Sequence, residues 1–250
     1  MVCYYVSHQV RLTMTVNYKK GGRNLKKWGK FPGVMIFWGV LMMTGISGGG
    51  ERIILPSPGL RGEVSVEEAI LKRRSVRSFL DDALSLGELS QILFSAQGIT
   101  EKNQGFLAAP SAGALYPLVI YAVVGKVEEL TPGVYRYYPQ EHAIEKVLEG
   151  DRRGELYRAA LSQGAIRGAP VSLVFAAIYE RTTVKYGERG IRYVHIEIGH
   201  AAQNVYLQAE ALGLGTVAIG AFYDEEVARV LSLPPEEAPL YIMPVGKVRK

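Results

Sequence analysis

The 250-residue chain is 48% hydrophobic and 21% charged, enough apolar material for one sizeable core. Its formal charge of +5 comes from residues 1–50, which hold seven of the 29 Lys/Arg and no acid; the remaining 22 face 24 acids in 51–250, a net of −2. That balance excludes a duplex nucleic-acid binder, and the single cysteine, Cys3, excludes an internal disulfide and a thiolate metal site.

In chain order, residues 1–52 read as a leader. A basic stretch is followed over 31–50 by an uncharged apolar run with a small-residue exit. That is the pattern of a signal sequence or signal anchor, close to the shortest span that crosses a membrane. Pro32, Gly33, Gly39 and Gly45 oppose a helix there. The alternatives are membrane contact through 31–50, or a cytoplasmic protein whose leader is unstructured or a start-site artefact.

From residue 53 to 250 the chain reads as one domain. Residues 53–62, with Pro56 and Pro58, form a linker arm. Ser65 followed by Glu68 is a capping box, opening a helix through Ala69 and Ile70 that ends in Arg73-Arg74-Ser75-Val76-Arg77. Ser85 with Glu88 opens a second helix, with Leu89, Ile92, Leu93 and Ala96 at helical spacing and Gly98 as its stop. The apolar run 118–124 is a buried strand. Strands over 134–138 and 143–148 flank Pro139–His142 as a hairpin. A short helix over 152–162 and a buried strand over 170–178 follow. The longest periodic stretch, 191–212, sets Ile191, Val194, Ile198, Ala201, Val205 and Leu212 on one stripe, stopped by Gly213. A strand over 215–219, a short helix from Asp224 to Leu231 and a strand over 240–246 complete an α+β, or mixed α/β, fold. Its expected form is a central mixed sheet flanked by helices.

Several familiar chemistries find no support. His195 and His200 flank Glu197, but their i, i+5 spacing sets them about 140° apart around a helix. HExxH needs i, i+4, so they read as core or interface histidines, and no metal is expected. There is no GxGxxG after a strand, no GxxxxGK[ST] and no GxSxG. The run from Lys72 to Phe79 remains, with four cations around Ser75. On pattern alone a solvated helix face is its commoner meaning.

Three stretches give that run another meaning: Arg73–Arg77; the small-residue loop Ala109–Pro117; and Gly199–Asn204, continuing to Gly213-Leu214-Gly215-Thr216. In this order they resemble the nitroreductase family of FMN proteins, and within it the SagB-type dehydrogenases, over residues 53–250. The resemblance implies an FMN-dependent oxidoreductase, dimeric, with FMN sites at a homodimer interface. It also implies NAD(P)H as electron donor and a small-molecule or modified-peptide substrate. Arg73, Arg74, Ser75 and Arg77 would then hold the FMN phosphate and the O2/N1 edge of the flavin, for which planar guanidinium forks are suited. Ser111 and Gly113 would reach the flavin from the partner subunit. Gly220 and Ala221 would belong to the turn whose backbone N–H faces flavin N5. Lys247 and Arg249 would echo a late basic pair on the phosphate. Where many members carry an asparagine in the 109–117 loop, this chain has Ala112 and Gly113, as the SagB-type branch does. The adjacent Lys185-Tyr186 matches the Lys-Tyr pair of SagB-type azoline dehydrogenases. That match implies Lys185 as base and Tyr186 as its proton-relay or orienting partner. The competing readings are a generic NAD(P)H-dependent nitro or quinone reductase and a non-catalytic flavin-fold docking subunit.

Overall fold

The computed structural model describes residues 51–249, so the expectations for 1–50 lie outside it. No helix among the described residues is long and apolar enough to cross a membrane. A seven-stranded sheet runs in the order β1 (Arg52–Ile54), β6 (Ala143–Glu149), β5 (Gly133–Tyr138), β4 (Leu118–Val124), β7 (Val171–Ala177), β9 (Ala238–Lys247), β8 (Leu214–Thr216). Every neighbouring pair is antiparallel. The expected mixed sheet is thus antiparallel between its strands; parallel contact is confined to isolated bridges, Ser75 with Thr216 and Leu84 with Val127.

Both central strands, β4 and β7, are buried at every position. Alternation of faces along a strand sends Leu118, Ile120, Ala122 and Val124 into one core and Val119, Tyr121 and Val123 into the other. The first core is covered by α2 (Leu86–Gln97) and α6 (Arg189–Ala211). The second is covered by α3 (Arg153–Ala159), α4 (Gly164–Gly168) and α7 (Asp224–Leu231). Each fully buried Leu, Val or Phe on these strands is worth about 1.5–3 kcal/mol, so β4 and β7 fix the middle of the sheet.

Several elements depart from the sequence reading. The arm begins as edge strand β1, and side chains then pin it. The Pro56 carbonyl accepts from Ser90 Oγ (2.6 Å) and lies 3.1 Å from His142 Nε2. The helix expected over 152–162 stops at Ala159, because Leu161 and Ser162 both take φ of 55°. The strand expected over 215–219 shortens to β8 and touches the sheet again only through the Ile219–Ile242 bridge. A two-turn helix, α5 (Glu180–Tyr186), and a ribbon of β2 (Ile99–Glu101) and β3 (Phe106–Leu107) are additional. In α6 the stripe holds for Val194, Ile198, Ala201 and Val205, whereas Ile191 is exposed. Ala201, Ala202 and Ala209 pack into this subunit's own core rather than facing outward.

One buried charge ties a loop to the sheet. Glu237, 4% exposed, accepts from the Tyr121 hydroxyl (2.7 Å) and pairs with Arg136 (2.8 Å). Glu237→Ala would strand Arg136 against Tyr121 and Tyr138. Removing one partner of such a pair costs about 3 kcal/mol. The expected result is a lower urea midpoint at an unchanged m-value.

Candidate active site

The basic run is not a helix face. Ser65 caps α1 (Val66–Lys72) through the Glu68 N–H (3.1 Å), and the helix ends at Arg73, where ψ is 127°. From there the chain is extended. Val76 N–H donates to the Thr216 carbonyl and Leu80 N–H to the Lys247 carbonyl, both 2.9 Å. The segment 75–80 therefore lies along β8 and the end of β9. Gly215 permits this approach: a β-carbon there would meet Val248 Cγ1 at 2.4 Å and Val76 Cβ at 2.8 Å. Arg73, Arg77, Lys247 and Arg249 are thus carried by segments that meet at Gly215. Among the described residues none of them is in an ion pair. Arg74 differs, since its Nη1 donates to the carbonyls of Leu71 (3.0 Å) and Arg73 (2.8 Å) and so closes the end of α1.

Tyr206 of α6, not singled out by the sequence, organises this corner. The Arg73 guanidinium lies 5.0 Å from its ring centroid, and Ser75 Oγ lies 3.1 Å from its hydroxyl. The same hydroxyl accepts from Ala218 N–H (2.7 Å). It therefore joins the arginine run to the turn carrying Gly220 and Ala221. That turn is held further by the Ile219–Ile242 bridge and by Gln163, which donates to the Ala221 carbonyl (2.9 Å). Gly220 and Ala221 are themselves exposed.

A second constellation forms around the small-residue loop. Ser111 Oγ accepts from Tyr116 N–H (2.9 Å), closing a turn in which Gly113, Ala114 and Tyr116 take φ of 64°, 54° and 45°. Two non-glycine residues in the left-handed region mark stored strain, which clusters at functional sites. Lys185 and Tyr186, at the end of α5, sit on this loop. A β-carbon at Gly113 would lie 2.7 Å from the Tyr186 hydroxyl and 2.9 Å from Lys185 Nζ. Tyr186 packs edge-on against Tyr193 of α6, with centroids 5.1 Å apart. Arg181 Nη1 donates to the Tyr116 carbonyl (3.1 Å) and holds the other end of the turn.

Below the loop Glu197 is 2% exposed. Burial pushes its carboxyl up to about 7, opposed by the Ser111 hydroxyl. His195 and His200 are exposed, which corrects the core reading; His195 Nε2 lies 2.6 Å from the Tyr179 hydroxyl. No cluster of three potential metal ligands occurs among the described residues.

The family model described as the nitroreductase family matches residues 70–247. The chain belongs to the nitroreductase family. MJ1384 of Methanocaldococcus jannaschii, which carries a nitroreductase name, is 52% identical over 198 residues, 79% of this chain and 98% of that protein. The microcin B17-processing protein McbC of Escherichia coli is 30% identical over 66% of this chain, a match spanning 63% of McbC. A chain of the E. coli microcin synthetase McbBCD complex, solved with truncated pro-MccB17 bound, superposes with a TM-score of 0.61 at 27% identity, covering 79% of each chain. FMN reductase (NADPH) of Bacillus subtilis is 25% identical over 72% of this chain and 64% of that protein.

Proposed function

We propose that this nitroreductase-family protein is an FMN-dependent oxidoreductase that oxidises azolines to azoles in a modified peptide. The observation that carries this reading is the meeting at Gly113 of the small-residue loop with Lys185 and Tyr186. The similarity to a microcin-processing protein supports a peptide substrate.

The residues fit the cofactor. A phosphate monoester asks for unpaired cations and hydroxyl donors. Arg73, Arg77, Lys247 and Arg249 are free of carboxylates among the described residues, and the buried Thr216 hydroxyl has no partner. Ser75 adds a second hydroxyl, while Arg74 is engaged with its own backbone. The two constellations dock on α6 at Tyr206 and Tyr193, thirteen positions apart, which is about 20 Å along a helix. One subunit therefore leaves the site split. We assign FMN to a homodimer interface, with the exposed α6 face at Ile191, His195 and Gly199 as contact.

Bound FMN supplies the hydride acceptor. Lys185 Nζ would take a proton from one ring carbon while the neighbouring carbon gave its hydride to bound FMN, leaving a double bond between the two carbons. Tyr186, braced by Tyr193, brings its hydroxyl to the same point over Gly113 as the amine, from where it would orient the amine and pass the proton on. The backbone N–H groups of the Gly220–Ala221 turn would stabilise the negative charge that gathers on the acceptor.

The test is Lys185→Ala and Tyr186→Phe on flavin-loaded protein. Losing the base is expected to cut azoline oxidation by about 10²–10⁴-fold while NAD(P)H-driven dye reduction continues. If neither variant changes any turnover, the pair is structural. The similarity to an FMN reductase (NADPH) then favours a plain reductase. A colourless protein that cannot be reconstituted would point instead to a docking subunit.

A further inference from the structure

A polar stripe on α6 lies beneath the 108–113 loop. Tyr193, Glu197, His200 and Asn204 fall at i, i+4, i+7 and i+11, one face of the helix. Each meets a successive piece of the loop. Asn204 Nδ2 donates to the Ala108 carbonyl (3.3 Å), and His200 Nδ1 lies 3.4 Å from the Pro110 carbonyl. The Ser111 hydroxyl opposes the upward shift that burial gives the Glu197 carboxyl. Tyr193 packs on Tyr186, which lies over Gly113. Between stripe and loop is a cavity of about 280 Å³. Pro110, Ala112 and Ile196 give it apolar walls, and Glu197 lies at its floor, its Oε1 sealed from solvent until the carboxyl turns toward a ligand. Glu197 Oε1 has no hydrogen-bond partner among the described residues. A buried carboxyl oxygen left unpartnered is destabilising and calls for an explanation.

We propose that this cavity is the subsite for the substrate ring, and that Glu197 donates a hydrogen bond from its carboxyl to the ring's acceptor nitrogen. The inference rests on the azoline reading. The cavity's volume of about 280 Å³ lies just below the usual range of ligand pockets, about 300–1,000 Å³. It has room for a five-membered ring and its flanking atoms, but not for a mononucleotide as well. The ligand must be largely uncharged, because the walls are apolar and the one buried polar group is itself poorly solvated. Burial holds the Glu197 carboxyl up at about 7, so near neutrality much of it is the neutral acid, a donor. The carboxylate would instead face the ring nitrogen's lone pair. The other titratable groups around it are Tyr193 and His200 on α6 and Lys185 and Tyr186 on α5; the loop contributes the Ser111 hydroxyl. A hydrogen bond to the ring nitrogen draws electrons from its C=N bond and acidifies the hydrogen on the attached ring carbon. That is the proton Lys185 would remove, one residue further along the loop. The aromatic product's nitrogen is a weaker base, so the same bond weakens after turnover and favours release.

The experiment titrates flavin-loaded protein with 2-methyl-2-thiazoline at about pH 5.5 and about pH 8.5, for wild type, E197Q and E197A. The proton on Glu197 is lost as pH rises through about 7. Wild-type binding should therefore weaken at least tenfold across the range relative to E197Q, whose amide donates at every pH and reports the ring's own ionisation. E197A should bind at least tenfold more weakly than wild type at about pH 5.5. Equal affinity of wild type and E197A overturns the assignment, as does a pH profile shared by wild type and E197Q. If E197A does not fold, the comparison with E197Q decides alone. Wild type that reduces dyes but binds no thiazoline overturns the azoline reading and this inference together. Azoline oxidation that depends on Lys185 while E197A binds normally removes only Glu197.

Discussion

Arg73→Ala/Arg77→Ala will strip the protein of FMN while the sheet stays folded. Each charge-assisted bond to the cofactor contributes about 1.5–3 kcal/mol. Losing two raises the dissociation constant by roughly 10²–10⁴-fold. Neither side chain supports the fold through an ion pair, and the strand-like pairing of 75–80 uses backbone atoms, so far-UV circular dichroism should not change. Arg74→Ala supplies the contrast. Its guanidinium already serves the Leu71 and Arg73 carbonyls, so it should fray α1 and lower thermal stability slightly while flavin stays bound. The measurement is flavin absorbance near about 450 nm per protein after gel filtration. The expected affinity also falls with salt in wild type and less steeply in the double variant, because fewer arginine–phosphate pairs remain for salt to screen. Stoichiometric flavin in the double variant would remove the phosphate assignment.

Much of the architecture was legible because its signals are local. β4 and β7 are unbroken apolar runs, and the hairpin of β5 and β6 is marked by Pro139–His142 between β-formers. α6 declares itself by Val194, Ile198, Ala201 and Val205. What the sequence hid depends on distant partners. The basic run reads as the end of a helix until its extended pairing with Thr216, far along the chain, is seen. β1 is a strand only because β6 offers an edge. α5 buries one residue, Thr182, so it carries no periodic stripe. In the site, the Lys185–Tyr186 pair and the Gly113 loop were each recognisable, but their contact was not. Glu197 looked like part of a failed zinc motif. Its burial under the loop follows from α6 using one polar face to hold backbone carbonyls, a role no spacing rule distinguishes from solvation. Tyr206 gave no signal at all, since a tyrosine on a long helix is ordinarily core.

Gly113→Ala tests that contact without touching a reacting group. At φ 64° an alanine is strained, by about 1–2 kcal/mol, which on its own lowers the melting temperature by a few degrees. The larger effect is steric. The new methyl would fall 2.7 Å from the Tyr186 hydroxyl and 2.9 Å from Lys185 Nζ, well inside van der Waals contact. Both atoms are the far ends of side chains, so they move aside and the protein folds. The displacement falls on the amine and hydroxyl to which the proposed mechanism assigns the proton. A misplacement of about 1 Å in a reacting geometry costs about 10²-fold. Azoline oxidation per bound flavin should fall by about that factor, while NAD(P)H-driven dye reduction per bound flavin falls much less. The double variant with Lys185→Ala separates this from general damage. If Gly113 acts by seating Lys185, the second substitution adds little once the amine is gone, since groups that act as a unit are not additive. Full multiplication of the two losses would mean that the loop contributes by another route. Unchanged turnover in Gly113→Ala, with only the melting temperature lowered, would mean that the pair need not sit on the loop when the reaction occurs.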